Sequence, residues 1–140
     1  MKNTFLRNSL ASVCWLTLAI WSHAEPALLG NKGLTGQSLD AEGVKAVLLG
    51  KKVTLGDSRV IIVIAKASEA QDQFLQQAVG MTTSQFQNHW RRLFMTGGGS
   101  APKIVETDAD ACKLASETTG AVAIADKAKA DGLVVLAAGK

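Results

Sequence analysis

Val60-Ile61-Ile62-Val63-Ile64 is an unbroken run of β-branched residues. A strand with one face in water alternates apolar and polar residues. A run without polar interruption is the pattern of a strand covered on both faces, which in a small domain means a sheet with helices on either side. The residues that follow supply such helices. Ser68 is a helix-capping residue, Ala70, Phe74, Leu75 and Ala78 share one helical face, and Gly80 stops the run. Thr82 or Thr83 caps a second helix, in which Phe86, Trp90 and Phe94 recur at every fourth position and read as a core stripe.

Further along, Gly97-Gly98-Gly99-Ser100-Ala101-Pro102 breaks the helix and Lys103-Ile104-Val105 reads as a short strand. A helix from about Asp108 to Glu117 follows, then a reset at Gly120. Ala121 to Ala125 and Leu133 to Ala137 are of strand length, on either side of the charged stretch Asp126 to Asp131. Upstream of the central run, Lys51 to Ser58 is a turn-rich connection. Before it, Asp40 caps a helix over Ala41 to Leu49 with Val44, Val47 and Leu48 on one face and Gly50 as its stop. Residues 25–38 are rich in glycine and read as an irregular lead-in with one short strand at Ala27 to Leu29. Strands and helices alternate, so residues 39–140 are expected to form one α/β layer domain, a central β-sheet flanked by helices.

The amino-terminal residues 1–24 have the three parts of a cleavable export signal. Lys2 and Arg7 give a basic start, Leu10 to Trp21 an apolar stretch, and Ser22-His23-Ala24 a small-residue junction. The stretch is too short for the roughly 20 residues of a membrane-spanning helix, so no stable membrane anchor is expected after cleavage. Cys14 follows Val13, too bulky for a lipidation site. The expected product, from Glu25, is periplasmic or secreted. It has lost two of the 15 basic residues and none of the 12 acidic ones, and this near neutrality gives nucleic acid no positive field to bind. Its one cysteine, Cys112, leaves it no intrachain disulfide. Its length suffices for one domain.

Catalytic constellations are scarce. His89 and Cys112 are the single histidine and cysteine after residue 24, with no metal-type spacing, so no cofactor, no metal and no enzyme activity is expected. Glu106, Asp108 and Asp110 suit a helix start. The pairs Lys51-Lys52 and Arg91-Arg92 read as solvated faces or anion contacts. Exposed N–H groups at the helix starts by Ser68 and Thr82/Thr83, and in the turn from Gly97 to Ser100, read either as ordinary capping or as donors to an oxyanion.

Leu48-Leu49-Gly50-Lys51, Asp57, Ser68 with Phe74 six residues on, Gln85, the Trp90 helix, Thr96-Gly97-Gly98-Gly99 followed by Pro102, and Gly120-Ala121 before an apolar strand together resemble a known pattern. It is that of short secreted phosphate ABC-transporter substrate-binding proteins, related to the type 2 periplasmic-binding-protein fold, and it runs from about Leu39 to Leu136. The resemblance implies a single lobe of that fold that binds phosphate or a related small oxyanion without catalysis, linked to an ABC permease or closed by a second copy. It places the ligand between Ser68 with its neighbouring N–H groups and the turn of Thr96, Gly97, Gly98 and Gly99, with Arg91 or Arg92 supplying charge if either points inward. Where the family carries an arginine three residues before Phe74, this chain has Gln71, a neutral donor in place of a charged fork. The other reading is a single-lobe protein-interaction module that takes no small ligand.

Overall fold

The computed structural model describes residues 25–98 and 100–139. Residues 1–24, where the export signal and its cleavage junction are expected, Gly99 and Lys140 lie outside the described residues. The described order is β1 (Pro26–Gly30), α1 (Ala41–Leu48), β2 (Thr54–Leu55), β3 (Ser58–Arg59), β4 (Ile61–Ala65), α2 (Glu69–Val79), α3 (Thr83–Met95), β5 (Lys103–Val105), α4 (Asp108–Glu117), β6 (Ala121–Asp126) and β7 (Val134–Ala138). Single 3-10 turns at Lys32–Leu34 and Lys127–Lys129 complete it.

Five strands form one mixed sheet in the order β5-β4-β6-β1-β7. The β-branched run becomes β4, parallel to β5 on one side and to β6 on the other. β1 runs against both β6 and β7, so it is the one reversed strand. Alternation along the strands sorts side chains by size. Leu28, Ile62, Ile64, Val122, Ile124 and Leu136 turn to the face covered by α1, α2 and α3, where Val44, Leu48, Phe74, Phe86 and Trp90 fill the larger core. Ala27, Ala121, Ala123 and Ala125 turn to the other face and meet Ala111, Cys112 and Ala115 of α4. Short side chains on both partners let α4 lie close to the sheet, so a single helix seals that face.

Each helix begins as its sequence dictates. Asp40, Ser68, Thr82 and Thr107 accept from the backbone N–H three residues on, and Thr82 with Gln85 closes a reciprocal capping box. Gly80 ends α2 in the left-handed conformation at φ 68°.

Three expectations change. The short strand expected at Ala27 to Leu29 is present, but it extends over Pro26–Gly30 as β1 and is an interior strand with all five residues buried. Pro26 stands at its first position, where a strand tolerates proline, and four further residues are too few to declare a period. The connection over residues 51–58 contains part of the small hairpin of β2 and β3. The aromatic stripe of α3 also splits. Phe86 and Trp90 are 0% and 6% exposed, but Phe94 is 58% exposed. Each four-residue step overshoots a full turn by about 40°, so the third ring has rotated off the core.

Candidate functional site

β4 ends at Ala65 and α2 begins at Glu69, so the start of α2 lies just beyond the carboxyl end of the chain's best strand. Ser68 is half-buried, and its hydroxyl accepts from the Gln71 N–H at 3.1 Å. The Asp72 N–H returns to the Ser68 carbonyl at 3.0 Å. The Glu69 and Ala70 N–H groups therefore remain as the orphan donors of the first turn. The side chains of that turn, Glu69 and Asp72, are acidic and oppose a second negative charge. The nearest cation in sequence, Lys66, is paired with Glu106.

Gln71 does not join these donors. It is fully buried, its Oε1 accepts from the Ala65 N–H at 2.9 Å, and its Nε2 donates to the Ala65 carbonyl at 2.9 Å and to the Thr83 hydroxyl at 3.1 Å. Its amide clips the end of β4 to α2 and α3, and the expectation that it supplies a ligand contact is corrected on that ground: both amide protons are already used. Thr83 in turn donates its N–H and hydroxyl to Asp72 Oδ1. The start of α3 thus already holds an anion, the chain's own carboxylate.

The turn expected to form the opposite wall is also occupied. Thr96 N–H donates to Arg92 O, Gly97 N–H to Phe94 O and Gly98 N–H to Leu93 O, at 3.1, 3.1 and 2.8 Å. The Thr96 hydroxyl donates to the Arg92 and Leu93 carbonyls, both at 3.0 Å. These bonds close the carboxyl end of α3, the negative end of its dipole. Residues 96–98 therefore offer an anion no free donor, which corrects their place as a wall of the site. Arg91, bonded to Asn88, lines a hollow between α3 and β5. Arg92 lines another with Gly80, Met81 and His89. Ser68 borders neither hollow. Of the expected set, the Glu69 and Ala70 N–H groups beside Ser68 are the donors not committed to a bond within the fold.

His89 and Cys112 stand on opposite faces of the sheet. His89 belongs to α3, half-buried, with Nε2 3.3 Å from the Leu49 carbonyl and its ring edge-on to Trp90. Cys112 belongs to α4 and packs with Ala27, Leu29 and Ala125. The fold keeps them from forming a nucleophile and base pair. Among the described residues no cluster of three or more His, Cys, Asp or Glu could hold a metal ion, and no helix is long and apolar enough to cross a membrane.

Burial pushes the Cys112 thiol above its ordinary range, the Asp108 carboxylate one turn earlier adds to the push, and Lys129 pulls the other way. The unfolded chain therefore loses this proton at a lower pH than the folded one does. Between the two values the unfolded state binds fewer protons, so stability falls as pH rises. Below the unfolded value, about 8.5, the contribution is fully present. Urea midpoints of the wild type are expected to fall from pH 8 to pH 10 by more than those of Cys112→Ala. Parallel curves would refute the assignment.

No family model and no curated protein sequence matches the chain. Among solved structures, it is similar to the crystal structure of an ABC-type phosphate transport receptor from Vibrio cholerae, with a TM-score of 0.53 at 13% identity. The likeness covers 81% of this chain and 45% of that receptor. At this identity what is shared is the fold: an α/β sheet flanked by helices, similar to a periplasmic-binding-protein domain. The chain spans less than half of the receptor's length.

Proposed function

We propose that this α/β lobe is an exported, non-catalytic solute-binding-type domain that takes phosphate or a related small oxyanion at the start of α2. One observation carries the reading. In a fold similar to part of a phosphate receptor, the half-buried Ser68 and the free N–H groups of Glu69 and Ala70 stand beyond the carboxyl edge of β4, where α/β sheets gather their ligands. Periplasmic or secreted placement goes with this reading through the basic-apolar-small order of residues 1–24, and a permease or second copy is the partner it implies.

The donors are neutral and the first turn is acidic, so weak binding is expected, with Kd of the order of 1 mM (about −4 kcal/mol). Titrating the domain from Glu25 onward with phosphate and sulfate should move the Glu69 and Ala70 amide resonances saturably. Ser68→Ala should weaken binding severalfold while costing about 1 kcal/mol of stability through the lost cap. Amide resonances of α2 that stay still up to high millimolar phosphate would sink the proposal.

The interaction-module reading also has a specific observation behind it. Gln71 and the turn at residues 96–98 have committed their donors internally, which leaves the domain's unsatisfied surface elsewhere.

A further inference from the structure

The opposite edge of the molecule from β7 is β5, which pairs with β4 alone. The Lys66 N–H donates to the Val105 carbonyl at 2.8 Å, so Val105 turns its backbone groups toward β4. Successive residues alternate in this respect, which points the N–H and C=O of Ile104 outward, away from the sheet. The Ile104 side chain, in register with Ile64, faces α3 and is 51% exposed.

Beside it runs a hollow of about 210 Å³ between α3 and β5, lined by Ile64, Trp90, Arg91, Phe94, Pro102 and Ile104. Phe94, rotated out of the core, forms its open rim. On the other face of the same strand stands Lys103, exposed. Neither Arg91 nor Lys103 is paired with a carboxylate among the described residues; Arg91 bonds only Asn88, and the two ion pairs are Lys66–Glu106 and Lys129–Asp108.

We propose that this edge docks an acidic, extended segment of a partner protein as a sixth strand. The backbone of the incoming strand meets the Ile104 N–H and C=O. One of its apolar side chains enters the hollow against Trp90 and Phe94. Because side chains alternate, the residues on either side of that anchor fall on the face of Lys103, and carboxylates there meet its ammonium group. Arg91 receives an acidic residue two positions from the anchor. Charge selects the occupant: a second copy would bring the Lys103 and Arg91 side chains of both chains to one seam, and like charges oppose that pairing. Lys103, a guard against like edges, attracts an acidic one. Ser68 does not line this hollow, so this inference stands without the oxyanion reading.

Trp90 is the single tryptophan after residue 24, so its fluorescence reports on the hollow. The probes are capped nonapeptides with a central valine anchor flanked on each side by aspartate at the next two positions and serine elsewhere, and their lysine counterparts, added to the chain from Glu25 onward. The aspartate peptide is expected to shift Trp90 emission and to slow exchange of the Ile104 amide about tenfold or more. Lys103→Glu should weaken that peptide at least about tenfold and favour the lysine peptide instead. Equal binding of both peptides, binding that leaves Ile104 exchange unchanged, or no binding would overturn the proposal. So would a Trp90 shift produced by anionic phospholipid vesicles and not by the aspartate peptide, which would mark the patch as a membrane contact.

Discussion

Gly120→Ala is expected to destabilise the domain by about 3–5 kcal/mol, a fall in Tm of roughly 15 °C for a chain of this length. Gly120 has φ 78°, where a side chain is strained, and an added Cβ would lie 2.1 Å from the Arg59 carbonyl oxygen. The obstacle is backbone, and it lies at the entry to β4. There the Ile61 N–H donates to the Gly120 carbonyl at 3.1 Å and opens the parallel pairing of β4 with β6. Relieving the clash means pulling apart two interior strands. Gly80→Ala is the control: its φ is 68°, yet nothing lies within 4 Å of an added Cβ, so about 1 kcal/mol is expected from conformation alone. Chemical denaturation of both variants decides the matter. Equal losses would mean that strain, and not the close approach to Arg59, sets the cost.

Gln71 carries the second large expectation. Truncation to alanine would leave the Ala65 N–H and C=O without their partner in a site of zero exposure, and would take from the Thr83 hydroxyl the donor it accepts, leaving it its bond to Asp72. Unsatisfied buried groups cost about 1–3 kcal/mol each, partly relieved by relaxation, so a loss of about 3 kcal/mol is expected. Gln71→Arg introduces the charge that the sequence resemblance leads one to expect at this position. It should destabilise at least as much, because a guanidinium would be buried where the nearby Asp72 Oδ1 is already bonded to Thr83. Phosphate affinity should not rise. A Gln71→Arg variant that keeps its melting temperature and binds phosphate tenfold more tightly would show that this side chain reaches the ligand face after all, and would restore the position to the site.

Much of the fold was legible because it rests on local chemistry. The β-branched run, the capping residues Asp40, Ser68 and Thr82, and the stops at Gly50 and Gly80 announce their elements without tertiary context. The α/β class follows from their order. The small-residue alternation of Ala121, Ala123 and Ala125 also gives away, in hindsight, which face receives α4. β1 was half-hidden because what makes Pro26–Gly30 an interior strand is its pairing with residues near the other end of the chain, and no local period encodes that.

The site was less legible for a different reason. Several residues that carry the family resemblance hold the fold together. Trp90 Nε1 donates to the Leu48 carbonyl at 2.9 Å, and a Cβ on Gly50 would meet the Trp90 ring at 2.9 Å. Gln85 completes the box at the start of α3, and Thr96 to Gly98 close its end. In this chain these residues pack together, so their spacing reports how the lobe is held and says little of a ligand. Gln71 looked like a neutral donor for an anion because its burial, and the two strand-end backbone groups it satisfies, arise only when β4, α2 and α3 meet.

Pro26 lies opposite Asp126 and Ala27 opposite Ala138, so β1 is clasped by two strands that follow it in the chain by most of the domain's length. Until β6 and β7 are available, β1 has no partner for its backbone and no cover for its apolar residues, and the loop that must close spans nearly the whole domain. Folding therefore cannot advance from the amino end as the chain emerges. It waits for β6 and β7.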